Sequence, residues 1–135
     1  MTQDAKAALE YIKQQHPEFT PEYAIILGSG LGPLAKQLEN SQVISYENLP
    51  GFPSCSVDGH QGALHLGYIN NTPIACLEGR AHFYEGTQNE TIQTMIRTLH
   101  LLGCHTLIAT NASGSLREEV TPGHLVFIND HINMQ

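Results

Sequence analysis

Two short apolar runs in this chain are each followed at once by glycine, serine and amide residues, a pattern suited to holding an anion. Tyr23-Ala24-Ile25-Ile26-Leu27 runs into Gly28-Ser29-Gly30-Leu31-Gly32, and Thr106-Leu107-Ile108-Ala109-Thr110 runs into Asn111-Ala112-Ser113-Gly114-Ser115. Small residues let backbone N–H groups converge on a negative charge, and the Ser29 hydroxyl adds a donor. A helix opening at Pro33 would add the positive end of its dipole. The first loop departs from three known patterns. Pro33 stands where a dinucleotide fingerprint has its third glycine, no Gly-Lys-Ser/Thr follows, and Leu27 occupies the glycine position of a nucleophile elbow. A plain strand-to-helix turn would use the same residues, so the loop alone decides nothing.

Gly79-Arg80-Ala81-His82-Phe83-Tyr84-Glu85-Gly86 is the second kind of signal. Arg80 is the only Arg or Lys between Lys36 and Arg97. A guanidinium grips phosphate or carboxylate with two parallel bonds. His82 offers a donor beside it, Glu85 is able to orient and charge that histidine, and Tyr84 presents a ring and a hydroxyl. A surface Arg–Glu pair is the plainer explanation. His60, between the glycines of Asp58-Gly59-His60-Gln61-Gly62, is a further donor or a simple surface histidine. His60/His65 and His100/His105 are five apart, a spacing that does not put two ligands on one helical face, so no metal site is expected. Together these groups imply a pocket for an oxyanion, phosphate or carboxylate.

The composition agrees with a small-molecule site. Of 135 residues, Lys plus Arg number 6 and Asp plus Glu 13, a formal charge of −7 that argues against a nucleic-acid partner. Hydrophobic residues make up 41% and charged residues 14%, the profile of an ordered chain. No apolar run nears the roughly 18 residues of a membrane span, and the first nineteen residues lack a secretory apolar core. Cys55, Cys76 and Cys104 form no CxxC pair and are expected to be reduced thiols. A cytoplasmic chain with no membrane partner is the expectation.

The elements that must carry these groups follow from periodicity. Ala5, Ala8, Leu9 and Ile12 predict a helix, capped by Thr2 or Asp4 and ended by His16-Pro17. Tyr23–Leu27 reads as a strand buried on both faces, and Pro33 through Leu38 as a short helix. Val43–Tyr46 predicts a strand stopped at Leu49-Pro50-Gly51-Phe52-Pro53. Leu64–Ile69 and Pro73–Leu77 predict a hairpin about Asn70-Asn71. Asn89 is placed as the cap of a helix through Leu102, with Gly103 past its end. Thr106–Thr110 predicts a second buried strand and Leu125–Ile128 a third. The alternation implies an α/β layered domain with a parallel or mixed sheet, whose ligands sit beyond the strands' carboxyl ends.

Five strings in one order, Ile26–Gly32, Leu49–Pro53, Gly59–Gly62, Gly79–Gly86 and Asn111–Leu116, make the chain resemble the trimeric purine nucleoside phosphorylases. It is most similar to the bacterial xanthosine phosphorylase branch. The resemblance runs from about Phe19 to Asn133. It implies an α/β fold of three layers, αβα, with a central mixed sheet, and makes residues 1–135 a single domain, the N-terminal portion of a phosphorylase domain. It further implies phosphorolysis of purine nucleosides, with phosphate as co-substrate and no cofactor, by a homotrimer or hexamer. Ser29, His60, Arg80, His82 and the Ala112 N–H would bind phosphate, and Tyr84 and Asn111 would serve the nucleoside. Glu85 would support the catalytic His82. The family's usual Asn-Ala-Ala-Gly carries Ser113 here, whose hydroxyl either adds a contact or faces solvent. Members of the family are much longer, and their base-binding residues have no counterpart in this chain, so the preferred base is not written in it. Two other classes remain: an inactive phosphate-binding fragment, and a hydrolase that uses water in place of phosphate.

Overall fold

A computed structural model of the chain describes residues 3–53, 62–79 and 88–132. The described elements are helix α1 (Gln3–Gln15), strand β1 (Tyr23–Ile26), helix α2 (Gly32–Ala35), strand β2 (Glu39–Ser45), strand β3 (Ala63–Ile69), strand β4 (Thr72–Glu78), helix α3 (Asn89–Leu102) and strand β5 (Thr106–Ala109). The strands form one mixed sheet in the order β2-β3-β4-β1-β5. β1 runs parallel to β4 and β5, while β3 is antiparallel to both β2 and β4.

Alternation along the strands sorts side chains to two faces. Ala24, Leu64, Leu66, Ala75 and Leu77 meet Ala8 and Ile12 of α1 and Met95, Leu99 and Leu102 of α3. On the other face Ile25, Leu27, Ile74 and Cys76 meet Ala35 and Leu38, within and just after α2. Helices on both faces of one sheet are the expected three layers. α1 ends at Gln15, just before His16-Pro17, as expected. The hairpin turns at Asn70 and Asn71 with φ of 48° and 63°, the left-handed pair of a type I′ turn, which asparagine tolerates better than most residues. Gly103, at φ 127°, ends α3, and its N–H donates to the His100 and Leu99 carbonyls.

Several expectations are corrected. β2 starts earlier than predicted, at Glu39, and Tyr46 falls in a single 3-10 turn, Tyr46–Asn48. Asn89 is the first helical residue and not the cap; Gln88 holds that position without a side-chain bond. α2 stops at Ala35, with only a turn leading on to Leu38. β5 forms where predicted but is not buried, because among the described residues it has a strand on one side only: Leu107 and Ile108 are 45% and 44% exposed. Leu125–Ile128 forms no strand, and Leu125 and Phe127 are 86% and 89% exposed. β-forming side chains make a strand only where a neighbouring edge receives their backbone groups. Among the described residues none does so for this run.

Candidate functional site

The sheet order brings the sequence's signals to one edge. β1, β4 and β5 are parallel, so Ile26, Glu78 and Ala109 all end there, and antiparallel β3 begins there at Ala63. The described residues beyond these ends meet in two tight pairs. A Cβ on Gly79 would stand 2.7 Å from the Gly62 Cα, and a Cβ on Gly28 would stand 2.5 Å from the Thr110 carbonyl oxygen and 2.7 Å from the Asn111 Cα. Only glycine permits either approach. The Gly28–Gly32 loop and the Asn111–Ser115 segment therefore leave the sheet in contact with each other.

Ser29 is exposed on the first loop, next to Gly30 at φ 84°. Asn111 and Ala112 are exposed on the second. Ser113 Oγ donates to Asn111 Oδ1 at 2.6 Å, so its hydroxyl turns back on the loop's own amide. His60, Arg80, His82, Tyr84 and Glu85 lie outside the described residues, as does Cys55. The short α2 changes the electrostatic argument. One helical turn, Gly32–Ala35, has little dipole, so the expected positive helix end contributes little at this loop.

Three residues at this edge escaped the sequence reading. Thr110 Oγ1 accepts the Gly28 N–H at 2.9 Å and donates to the Ile26 carbonyl at 2.8 Å. His65 is buried in β3, and its Nε2 stands 2.7 Å from Glu78 Oε2. The other carboxylate oxygen, Oε1, packs against the first loop, 3.0 Å from where a Gly32 Cβ would be. The pair was findable: once Asn70-Asn71 sets the hairpin register, His65 and Glu78 are diagonal neighbours on one face. Glu78 thus sets a carboxylate between the Gly28–Gly32 loop and the His65 imidazole.

Cys76, beside β1 on the α2 face, has its thiol pushed up to about 12 by burial and then by the Glu78 charge. Burial likewise raises Cys104 to about 11. Both shifts favour the protonated thiol over the reactive thiolate at neutral pH. An apolar cleft of about 240 Å³ lies elsewhere, lined by residues of α3 and the start of β5, among them Ile96, Leu99, Thr106 and Leu107. It opens near the strands' amino ends, away from the convergent loops, and its lining also includes His100, Cys104 and His105. Among the described residues there is no group of three metal-ligating side chains, and no helix long and apolar enough to cross a membrane.

A parallel strand core with loops that meet at its carboxyl edge defines an α/β domain of the kind whose ligands sit beyond the strand ends. The chain belongs to the phosphorylase superfamily, whose family model matches residues 22–135. More particularly, it is similar to purine nucleoside phosphorylases. It is 44% identical over 126 residues to purine nucleoside phosphorylase 1 of Bacillus subtilis, covering 93% of this chain and 46% of that protein. To the purine nucleoside phosphorylase of Mus musculus it is 41% identical over 120 residues, covering 89% and 42%. Among solved structures, isoform 2 of the Schistosoma mansoni enzyme, in complex with cytosine and ribose-1-phosphate, matches with a TM-score of 0.79 at 40% identity, covering 87% of this chain and 41% of that one. The Schistosoma mansoni enzyme with inosine gives a TM-score of 0.79 at 35% identity, covering 87% and 41%. The chain thus spans less than half the length of the relatives it matches.

Proposed function

We propose that this chain carries the phosphate-binding part of a purine nucleoside phosphorylase. The whole protein then splits purine ribonucleosides or deoxyribonucleosides with inorganic phosphate. The observation that carries this reading is the contact between the Gly28–Gly32 and Asn111–Ser115 loops at the sheet's carboxyl edge. The purine nucleoside phosphorylases among its relatives support it. Ser29, His60, Arg80, His82 and the Ala112 N–H are the proposed phosphate donors. Tyr84 and Asn111 are the proposed nucleoside-binding residues, and His82 and Glu85 the proposed catalytic pair.

In the proposed reaction the bond from sugar C1′ to the purine nitrogen breaks and its electrons leave with the base. Positive charge builds on the sugar, a phosphate oxygen then bonds to C1′ to give a sugar 1-phosphate, and the proton that hydrogen phosphate gives up ends on the departing nitrogen, giving free purine. Phosphate is both nucleophile and counter-charge, so the protein needs no nucleophile of its own and acts by positioning and preorganised donors. The net charge of −7 gives no long-range pull on phosphate beyond a screening length of about 8 Å, which leaves capture to the local donors.

The finer assignments rest on the residue strings. They are the xanthosine-cleaving bacterial branch, a homotrimer or hexamer, a cytoplasmic location, and a reaction that uses no cofactor beyond its phosphate co-substrate. Because the chain spans less than half of its relatives, a second reading stands beside the first: the 135 residues alone bind phosphate with little or no turnover. Cleavage of inosine, guanosine and xanthosine, with and without phosphate, tests both. Phosphate-dependent base release by the whole protein supports the assignment and fixes the preferred base. Arg80→Ala is expected to cost about 2.7–4 kcal/mol of transition-state stabilisation. Base release independent of phosphate would replace phosphorolysis with hydrolysis.

A further inference from the structure

A single hydroxyl ties together the two loops that meet at the sheet's carboxyl edge. Thr110 follows directly on β5. Its Oγ1 accepts the Gly28 N–H at 2.9 Å and donates to the Ile26 carbonyl at 2.8 Å. Its own backbone N–H donates to that same carbonyl at 3.1 Å. One residue of the β5 side thus holds both the last residue of β1 and the first glycine of the loop that carries Ser29. Gly28 is buried, so its N–H has no ready exchange of this partner for water. The loops also have no slack between them, since even a methyl group on Gly28 would collide with the Thr110 carbonyl and the Asn111 Cα.

The consequence is geometric. Ser29 and Gly30 leave β1, and Asn111 and Ala112 leave β5, from adjacent points whose separation is set by the Thr110 clamp. A pocket made of donors from both loops needs that relative setting to hold within a fraction of an ångström. We propose that Thr110 is a positioning residue of the anion pocket, fixing the Ser29 loop against the Asn111–Ala112 loop through the buried Gly28 N–H without touching the anion. The proposal rests on the reading of Ser29 and the Ala112 N–H as phosphate donors.

Valine matches threonine in shape and keeps the backbone bond to Ile26, but it leaves the Gly28 N–H unpaired. Serine keeps the hydroxyl and drops the methyl. The test compares the unaltered chain with Thr110→Val and Thr110→Ser by NMR, with two readouts. One is hydrogen exchange at the Gly28 amide; the other is titration with inorganic phosphate, followed at the Ser29 and Ala112 amides. Thr110→Val is expected to speed Gly28 exchange and to weaken phosphate binding, each by about tenfold, the scale of one or two ordinary hydrogen bonds. Thr110→Ser is expected to stay within about twofold of the unaltered chain in both. Unchanged exchange or unchanged phosphate binding in Thr110→Val overturns the proposal, as does a serine variant as impaired as valine. Should the valine variant fail to fold, serine decides: retained binding without the methyl supports the hydroxyl's role, and lost binding overturns it. If the unaltered chain takes up no phosphate, the phosphate reading of the two loops falls. The exchange readout then still decides whether Thr110 sets the loop.

Discussion

Ile25 and Ile108 are the same residue, one on β1 and one on β5, directly opposite each other across a parallel ladder. Ile25 is 8% exposed and Ile108 is 44% exposed. Both strands are four residues long and apolar, and either reads alone as the buried strand of an α/β sheet. Their difference is one of position: β1 has β4 on one side and β5 on the other, whereas β5 has a single strand neighbour among the described residues. Burial is here a property of sheet order, which composition does not encode.

The most direct way to break this comparison is to truncate both isoleucines. Ile25→Ala is expected to cost about 2–5 kcal/mol in denaturant unfolding, the range for emptying a packed site. Ile108→Ala should cost about 1 kcal/mol, because much of its side chain is already in water. Equal losses would mean that β5 is covered in solution. A smaller contrast lies in the loops beyond the two strands. Gly28→Ala forces a methyl into the backbone at Thr110 and Asn111 and is expected to cost about 1–3 kcal/mol. Gly114→Ala has open space around it and should stay within about 0.5 kcal/mol. A silent Gly28→Ala would show that the two loops are not locked together.

The thiols sharpen the same contrast in alkaline solution. Cys76, beside Ile25, has its pKa raised from 9.0 to about 12, and Cys104, just before β5, to about 11. Folding favours the protonated forms, so their contribution to stability is whole below pH 9 and drains away as pH climbs through 11 and 12. Unfolding free energy measured against pH should fall across that window, and Cys76→Ala should flatten the fall. An alkaline slope identical in Cys76→Ala would exclude this origin. Ile108→Lys is expected to do little to stability, costing no more than Ile108→Ala, about 1 kcal/mol. Its effect should instead be on self-association, since a charge on an exposed edge strand discourages edge-to-edge pairing. Light scattering at rising concentration, with and without the substitution, reads this out.

Much of the architecture could be read from the residues, and the failures share a cause. A continuous apolar run, helical spacing, Asn70-Asn71 and Gly103 located β1, the hairpin and α3, because those signals are local. Which strand lies at the edge, and whether Leu125–Ile128 finds a neighbour, depend on partners far along the chain. At the candidate site the exposed Ser29, Asn111 and Ala112 were visible as small or polar residues after apolar runs. Thr110 was not, because a threonine ending a strand is first of all a β-former. Its hydroxyl matters only once β1 lies alongside. His65 and Glu78 were hidden for the same reason until the hairpin register joined them.

The central place of β1 bears on the order in which the molecule is assembled. Tyr23 pairs with Ile74 on one side and with Thr106 on the other, so this strand waits for two partners made long after it. β3 and β4 need only a two-residue turn to find each other. A local hairpin forms in microseconds, whereas seating a strand through distant contacts first requires a long loop to close. During synthesis β1 therefore leaves the ribosome ahead of both partners and must stay apolar and unpaired until the hairpin is in place to receive it.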